Sequence, residues 1–315
     1  MCNYPSETNK DFRILSVCGG GVRGLFAAKC VNEIHEKIGI NIHDSFDLFA
    51  GTSTGALIAA SLAANKSPEL LTNIYKDNAD RIFGHKNWFS CSGLIKAKFK
   101  SAHLEKKLKD IFRDTKIGDL DKPLIIPVTS LKTGSPLFYK SQFKGVGIPR
   151  DKNFLLREIL LAATAAPSFF KPVLVDCLGE LQADGGLFMN DPTLAAILEA
   201  YYIHNVPLER IKVIRIGTEY NHCTYSNKDS KKSWGILSSW NPKKMLELIL
   251  NLQVNSTLNM TNYILKKSPA QFINIDAYDE KKSSLDDTSD LVSLEGMAVR
   301  TVGNKLAELE SFFKS

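Results

Sequence analysis

A chain of 315 residues with 44% hydrophobic and 23% charged residues can bury one sizeable core and has the composition of an ordinary globular protein. No apolar run reaches the roughly 20 residues that span a bilayer, and the start, Met1-Cys2-Asn3-Tyr4-Pro5-Ser6-Glu7, lacks the basic and apolar regions of a secretory signal. A net charge of only +6, without a recognised module or basic–aromatic alternation, argues against a nucleic-acid polymer as partner. Six cysteines, at 2, 18, 30, 91, 177 and 223, form no C-x-x-C pair. That spacing argues against a disulfide framework or a zinc site and for a reducing, cytoplasmic setting.

In chain order, Ile14-Leu15-Ser16-Val17 reads as a strand, followed by Cys18-Gly19-Gly20-Gly21-Val22-Arg23-Gly24 and a helix over 25–38. Three successive glycines beside a helix start expose backbone N–H groups, which suits a phosphate or an oxyanion. Gly19, Gly21 and Gly24 also satisfy G-x-G-x-x-G, with Asp44 at about the spacing of a ribose-binding acid. Asp44, however, precedes the next apolar run, whereas that acid belongs at a second strand's end. The nucleotide fingerprint is therefore read as coincidental.

The apolar run 46–50 leads into Gly51-Thr52-Ser53-Thr54-Gly55 and a helix over 55–64. Strand, glycine-flanked serine, helix is the context of a nucleophile elbow, in which Ser53 sits exposed at a strained turn beside a helix N-terminus. A helix over 68–83 follows. Residues 84–101, with Gly84, Trp88, Phe89 and Gly93, read as a lid or membrane-contacting loop beside Lys96, Lys98, Lys100, Lys106, Lys107 and Lys109. Leu104, Leu108 and Ile111 supply the buried stripe of a helix whose other face is solvated.

Strands are expected at 124–129, near 137–139 and at 173–175, with a helix over 155–166 stopped by Pro167. Ala183-Asp184-Gly185-Gly186 comes next, then a helix over 193–204 and a buried strand over 213–217. Alternation of this kind predicts an α/β layered fold with a mainly parallel sheet flanked by helices. In such sheets, sites gather at the carboxyl ends of strands, where the glycine loop, the serine turn and the aspartate turn all fall. An isolated D-G-G is usually an Asx turn. Beside a serine elbow and a triple-glycine loop, Asp184 becomes a candidate catalytic carboxylate. The serine's base is open at this point: Asp184 directly, or a Ser-His-Asp set through His204 or His222.

With these elements in this order, and with Ala162-Ala163-Thr164-Ala165-Ala166-Pro167-Ser168-Phe169-Phe170-Lys171-Pro172 and Asn190-Asp191-Pro192, residues 12–220 resemble the patatin-like phospholipases. The resemblance implies a three-layer fold and a lipid acyl hydrolase working through an acyl-enzyme. It implies a Ser53–Asp184 dyad and an oxyanion hole from the loop Gly19, Gly20, Gly21, Val22, Arg23 and Gly24. Gly51 and Gly55 flank the elbow, and Gly185 and Gly186 shape the aspartate turn. No metal or cofactor is implied for the chemistry; the partner is a phospholipid membrane surface, approached peripherally from the cytoplasmic side at the inner membrane. Cys18 departs from the family's usual aspartate at that position.

The chain is also similar in length and layout to bacterial patatin-like effectors of anti-phage signalling, which implies a cyclic-nucleotide activator. Residues 221–315 read as a mainly helical extension packed on the same domain, with polar stretches at 221–233 and 279–290 and helical patterns over 242–267 and 291–313. Capping the sheet, forming a homo-oligomer face and binding a regulator are the roles open to it. Two other readings stand beside the dyad enzyme: an esterase using a histidine triad, and a catalytically silent binding protein marked by Cys18.

Overall fold

The computed structural model describes residues 10–79, 97, 99–141, 151–218, 231, 233–235, 240, 242–265, 272–276 and 291–314. Its centre is an eight-stranded sheet. Five strands run parallel: β1 (Phe12–Val17), β2 (Leu48–Gly51), β3 (Leu124–Ser130), β7 (Ile211–Ile216) and β8 (Phe272–Ile275). Three are antiparallel to β3 or to each other: β4 (Ser135–Lys140), β5 (Val173–Val175) and β6 (Glu180–Asp184). The order is β5-β6-β3-β2-β1-β7-β8, with β4 on the other edge of β3. The edge strand β8 lies beyond residue 220, so the sheet continues across the expected boundary between core and extension.

Side chains alternate across the sheet as the period of two requires. Leu15, Val17, Phe49, Ile126, Ile214 and Ile216 enter one core with helices α1 (Gly24–Ile38), α3 (Thr54–Ala63), α9 (Leu291–Asn304) and α10 (Leu306–Lys314). Phe12, Ile14, Leu48, Ala50, Ile211 and Val213 enter a second, with α7 (Thr193–Leu198) and the end of α8 (Pro242–Leu265). A sheet apolar on both faces must be covered on both, which gives the three layers. Between α1 and β2 a short helix, α2 (Ile42–Ser45), holds Asp44 exposed at the end of the sheet away from the glycine loop. This removes the dinucleotide reading.

Three helices complete the first layer: α4 (Pro68–Ala79), α5 (Ala102–Phe112) and α6 (Leu156–Ala163). Leu104, Leu108 and Phe112 are the buried stripe of α5, while Lys106 and Lys109 are exposed. Trp88, Phe89, Lys96 and Lys98 lie outside the described residues. Phe99, at the end of that expected loop, is buried against Phe169 and Phe170. The expected 193–204 helix ends instead as a π turn over Glu199–Ile203.

The edge pairings of β3 decide where the site forms. β4 occupies one edge along Ile125–Ser130, so β2 and β6 must share the other. β2 pairs only as far as Ile125, and β6, running the opposite way, ends with Asp184 opposite Val128. The two carboxyl ends therefore meet across a gap of two residues, Ile126 and Pro127, a span of about 10 Å. Pro127, which cannot donate to a ladder, sits in that gap, as a proline within a sheet must.

Candidate active site

The elbow is strained as its sequence predicts. Ser53 is the N-cap of α3 with φ 55 and ψ −125, a conformation non-glycine residues adopt only under constraint. The constraint comes from its glycines. A Cβ at Gly51 would lie 2.1 Å from the Gly55 carbonyl oxygen, and one at Gly55 would lie 2.3 Å from that of Val17. Only bare backbone lets the turn close against β1. Gly55→Ala is expected to leave no stably folded protein, or to lower the thermal midpoint sharply, which a melt of the purified variant measures.

Across the gap, Ser53 Oγ donates to Asp184 Oδ2 at 2.5 Å, and Gly186 N–H donates to Oδ1 at 2.8 Å. Gly185 passes so close to Pro127 that a Cβ would lie 2.2 Å from its carbonyl oxygen. The Asp184 backbone is held on both sides, its N–H by Ala165 O at 3.1 Å and its C=O by Thr129 Oγ1 at 3.0 Å. Ala165 belongs to the 162–172 stretch, which thereby positions the carboxylate from the α6 side. Asp184 is buried, and burial raises its pKa from 3.8 to about 6, against the opposing hydrogen bonds from Ser53 and Gly186. A carboxylate made this basic is a better proton acceptor near neutral pH than an exposed one.

The glycine loop packs directly beside the serine. A Cβ at Gly19 would meet Asn190 Oδ1 at 2.3 Å and Ser53 Cβ at 3.2 Å. Gly19 N–H donates to Asn190 O at 3.0 Å and Gly20 N–H to Thr54 Oγ1 at 3.3 Å. Arg23 N–H returns to Gly20 O, and Gly24 N–H to Gly21 O and Val22 O. Four of the six candidate donors are thus already committed, two to Asn190 and Thr54 and two within the loop. Gly21, with φ 60, and Val22 have N–H groups without a hydrogen bond among the described residues.

Three residues to which sequence reasoning gave no role of their own complete the frame. Thr218 Oγ1 donates to Gly19 O at 2.7 Å, Asn190 Nδ2 donates to the same oxygen at 3.4 Å, and Thr52 Oγ1 donates to Met189 O at 2.8 Å. Thr218 follows strand β7 and its glycine, which places it at the same sheet end as the elbow; that position was the only available signal.

The serine opens into an apolar pocket. Leu57 of α3, Leu71, Ile74 and Tyr75 of α4, Leu104, Leu108 and Ile111 of α5, Phe169 and Phe170, and Leu246 and Leu250 of α8 line it. Among the described residues, Lys107 is the one cation on its wall. Such a lining accommodates a hydrocarbon chain, with Ser53, Asp184 and the glycines among the few polar groups that line it. Tyr75 is tied to the elbow through its hydroxyl, which donates to Thr54 O at 3.2 Å. Among the described residues no cluster of His, Cys, Asp and Glu could hold a metal ion.

His204 is not part of this arrangement. It is buried and stacked on Phe12, ring centroids 5.7 Å apart. Phe12 opens β1, whereas the elbow lies past that strand's other end, about 15–20 Å away at 3.3 Å per residue. Burial lowers the pKa of His204. The other expected triad partner, His222, lies outside the described residues. His204→Ala is expected to cost stability through lost packing and to leave turnover within about threefold of wild type. An ester assay beside a thermal melt checks both.

Comparison with known proteins identifies the family of this fold. Residues 15–197 match the family described as patatin-like phospholipase. A cGAMP-activated phospholipase from Escherichia coli strain TW11681 is 30% identical over 95% of this chain and 89% of its own. A cGAMP-activated phospholipase from Vibrio cholerae is 27% identical over 96% of this chain and 92% of its own. The crystal structure of VipD from Legionella pneumophila shares the fold, with a TM-score of 0.54 at 13% identity over 96% of this chain and 67% of that one. The chain belongs to the patatin-like phospholipase family.

Proposed function

We propose that the lipid acyl hydrolase activity of this family member is carried by Ser53 as nucleophile and Asp184 as its base. The observation that carries the reading is the 2.5 Å hydrogen bond from Ser53 Oγ to a buried Asp184 carboxylate on the wall of an apolar pocket. The acyl chain of a phospholipid occupies the apolar pocket, which brings its ester carbonyl to Ser53. Ser53 Oγ forms a bond to that carbon while its proton passes to Asp184. The free N–H groups of the Gly21–Val22 turn and the N-terminal dipole of α3 oppose the negative charge that develops. Collapse expels the lysolipid alkoxide, which takes the proton from Asp184. A water then enters by the same route in reverse and releases the fatty acid.

The relatives named as cGAMP-activated phospholipases support a cyclic dinucleotide as activator of this chain, in anti-phage defence. No helix among the described residues is long and apolar enough to cross a membrane, and we place the working enzyme peripherally on the inner face of the membrane. Fatty-acid release from phospholipid vesicles, with and without a panel of cyclic dinucleotides, tests the reading. Release that rises at least tenfold with one of them supports gating. Release that is high without any removes the activator and leaves the hydrolase.

A further inference from the structure

Two charged residues, Lys212 and Arg215, interrupt the apolar strand Ile211–Ile216, and Arg215 is the bulkiest fully buried side chain among the described residues. It lies on the α7 face of the sheet, with Ser16 beside it in register. Its Nε donates to Asp191 Oδ2 at 2.6 Å, and its Nη1 donates to Asn274 Oδ1 at 2.6 Å and Asp276 Oδ2 at 2.8 Å. Burying a guanidinium is costly, and an apolar replacement of such a cluster is often at least as stable. Stability alone is therefore a weak reason for an arginine here.

The connections of Asp191 supply a better one. Its second oxygen accepts from Thr193 N–H at 3.0 Å and Thr193 Oγ1 at 2.5 Å, so the carboxylate is fixed from both sides. The residue immediately before it, Asn190, clamps Gly19: its carbonyl accepts the Gly19 N–H at 3.0 Å, and its side-chain amide donates to Gly19 O at 3.4 Å. Gly19 in turn lies against Ser53 Cβ. An unbroken series of bonds thus runs from the edge strand β8, through Arg215 and Asp191, to the loop that faces the nucleophile.

Burial works against the charge of Arg215, but the neighbouring Asp191 and Asp276 carboxylates more than reverse it and hold the guanidinium ionised. Cys18, at the root of the glycine loop, is buried beside the same groups. A neutral thiol there leaves one cation facing two carboxylates.

We propose that Arg215 is a positioning residue for acyl transfer: through Asp191 it sets where Asn190 holds the glycine loop against Ser53. This rests on the dyad reading above. It touches no reacting atom, so its loss acts on turnover and not on substrate affinity. The variants are Arg215→Lys, which keeps the charge and loses the fork, and Asp191→Asn, which leaves Arg215 still paired with Asp276 and so preserves the fold.

Both are assayed beside Ser53→Ala on a soluble aryl ester, under the conditions in which wild type turns over. Rates are expressed per active serine titrated with a fluorophosphonate. For Arg215→Lys the expected result is a fall in kcat of about tenfold or more, with KM within twofold. Asp191→Asn should show a smaller fall in the same direction. A purely structural role lowers the melting temperature and leaves kcat per titrated site unchanged. If Arg215→Lys does not fold, Asp191→Asn alone decides. Turnover lost in Ser53→Ala but within twofold of wild type in the folded variants overturns the positioning role. Turnover that survives Ser53→Ala overturns the dyad reading and this proposal together.

Discussion

Ser53→Ala is expected to lower acyl-ester hydrolysis by on the order of 10⁴-fold while leaving the fold intact. The size follows from the arrangement: among the described residues Ser53 supplies the one hydroxyl bonded to the Asp184 carboxylate, so on the proposed mechanism removal of Oγ removes the group that forms the acyl-enzyme. What remains is water held near the glycine loop, without covalent catalysis. Alanine fits the backbone space that serine fills, although φ at 55 is as strained for one as for the other, so circular dichroism and the melting curve should change little. The same variant carries a second readout. The Ser53 hydroxyl hydrogen bond lowers the Asp184 pKa against the larger effect of burial. Its loss moves that pKa above about 6, which titration of the carboxyl followed by infrared or carbon NMR would detect.

Asp184→Asn is the complementary case, with turnover expected to fall by on the order of 10³-fold or more. An amide can still accept the Gly186 N–H, but it cannot take a proton from Ser53. In wild type the base must be ionised, so kcat/KM should rise with pH and level off above an apparent pKa of about 6. Stability should move the other way. The folded carboxyl has its pKa raised from 3.8 to about 6, so between those values the native state holds a proton that the unfolded chain has lost. By linkage, its contribution to stability is full below pH 4 and is lost as pH rises through 6, about 3 kcal/mol in all. A neutral amide at this position carries no such penalty. The variant should therefore melt a few degrees higher than wild type at pH 8 and no higher at pH 4. An equal melting temperature at pH 8 would mean that Asp184 is not held ionised against its surroundings.

Much of this site was legible in the chain because it is made of glycines with steric reasons to be glycine. Gly51, Gly55 and Gly185 each face a backbone oxygen at 2.1–2.3 Å from where a Cβ would stand, and sequence patterns record such contacts well. The five parallel strands differ: four were legible as apolar runs, because a strand buried on both faces has no polar alternation to blur it. β8, Phe272–Ile275, was missed, since four residues on an edge look like any short apolar stretch. β6 was missed for a related reason. Glu180–Asp184 alternates weakly and mixes exposed Leu181 with buried Gln182, so nothing marked the antiparallel strand that carries Asp184 to Ser53.

The convergence itself was legible through the family resemblance alone, and not from spacing or periodicity. It depends on β2 and β6 sharing one edge of β3, a long-range pairing that brings together Ser53 and Asp184, 131 residues apart. Spacing says as little about Arg215. A lone arginine among Val213, Ile214 and Ile216 signals a buried partner, but neither Asp191 nor Asp276 can be chosen as that partner from spacing. The narrowing of the candidate oxyanion donors to Gly21 and Val22 also required the structure, because which N–H groups are already spent depends on Asn190, Thr54 and the loop's own carbonyls.

The most direct test is to trap the intermediate. Wild type is mixed with a slowly deacylating aryl ester, quenched in acid after one turnover, digested and weighed by mass spectrometry. An acyl group on the peptide that holds Ser53, absent in Ser53→Ala and accumulating slowly in Asp184→Asn, is the predicted result. Turnover accompanied by an adduct on another residue, or by none at any quench time, would contradict it.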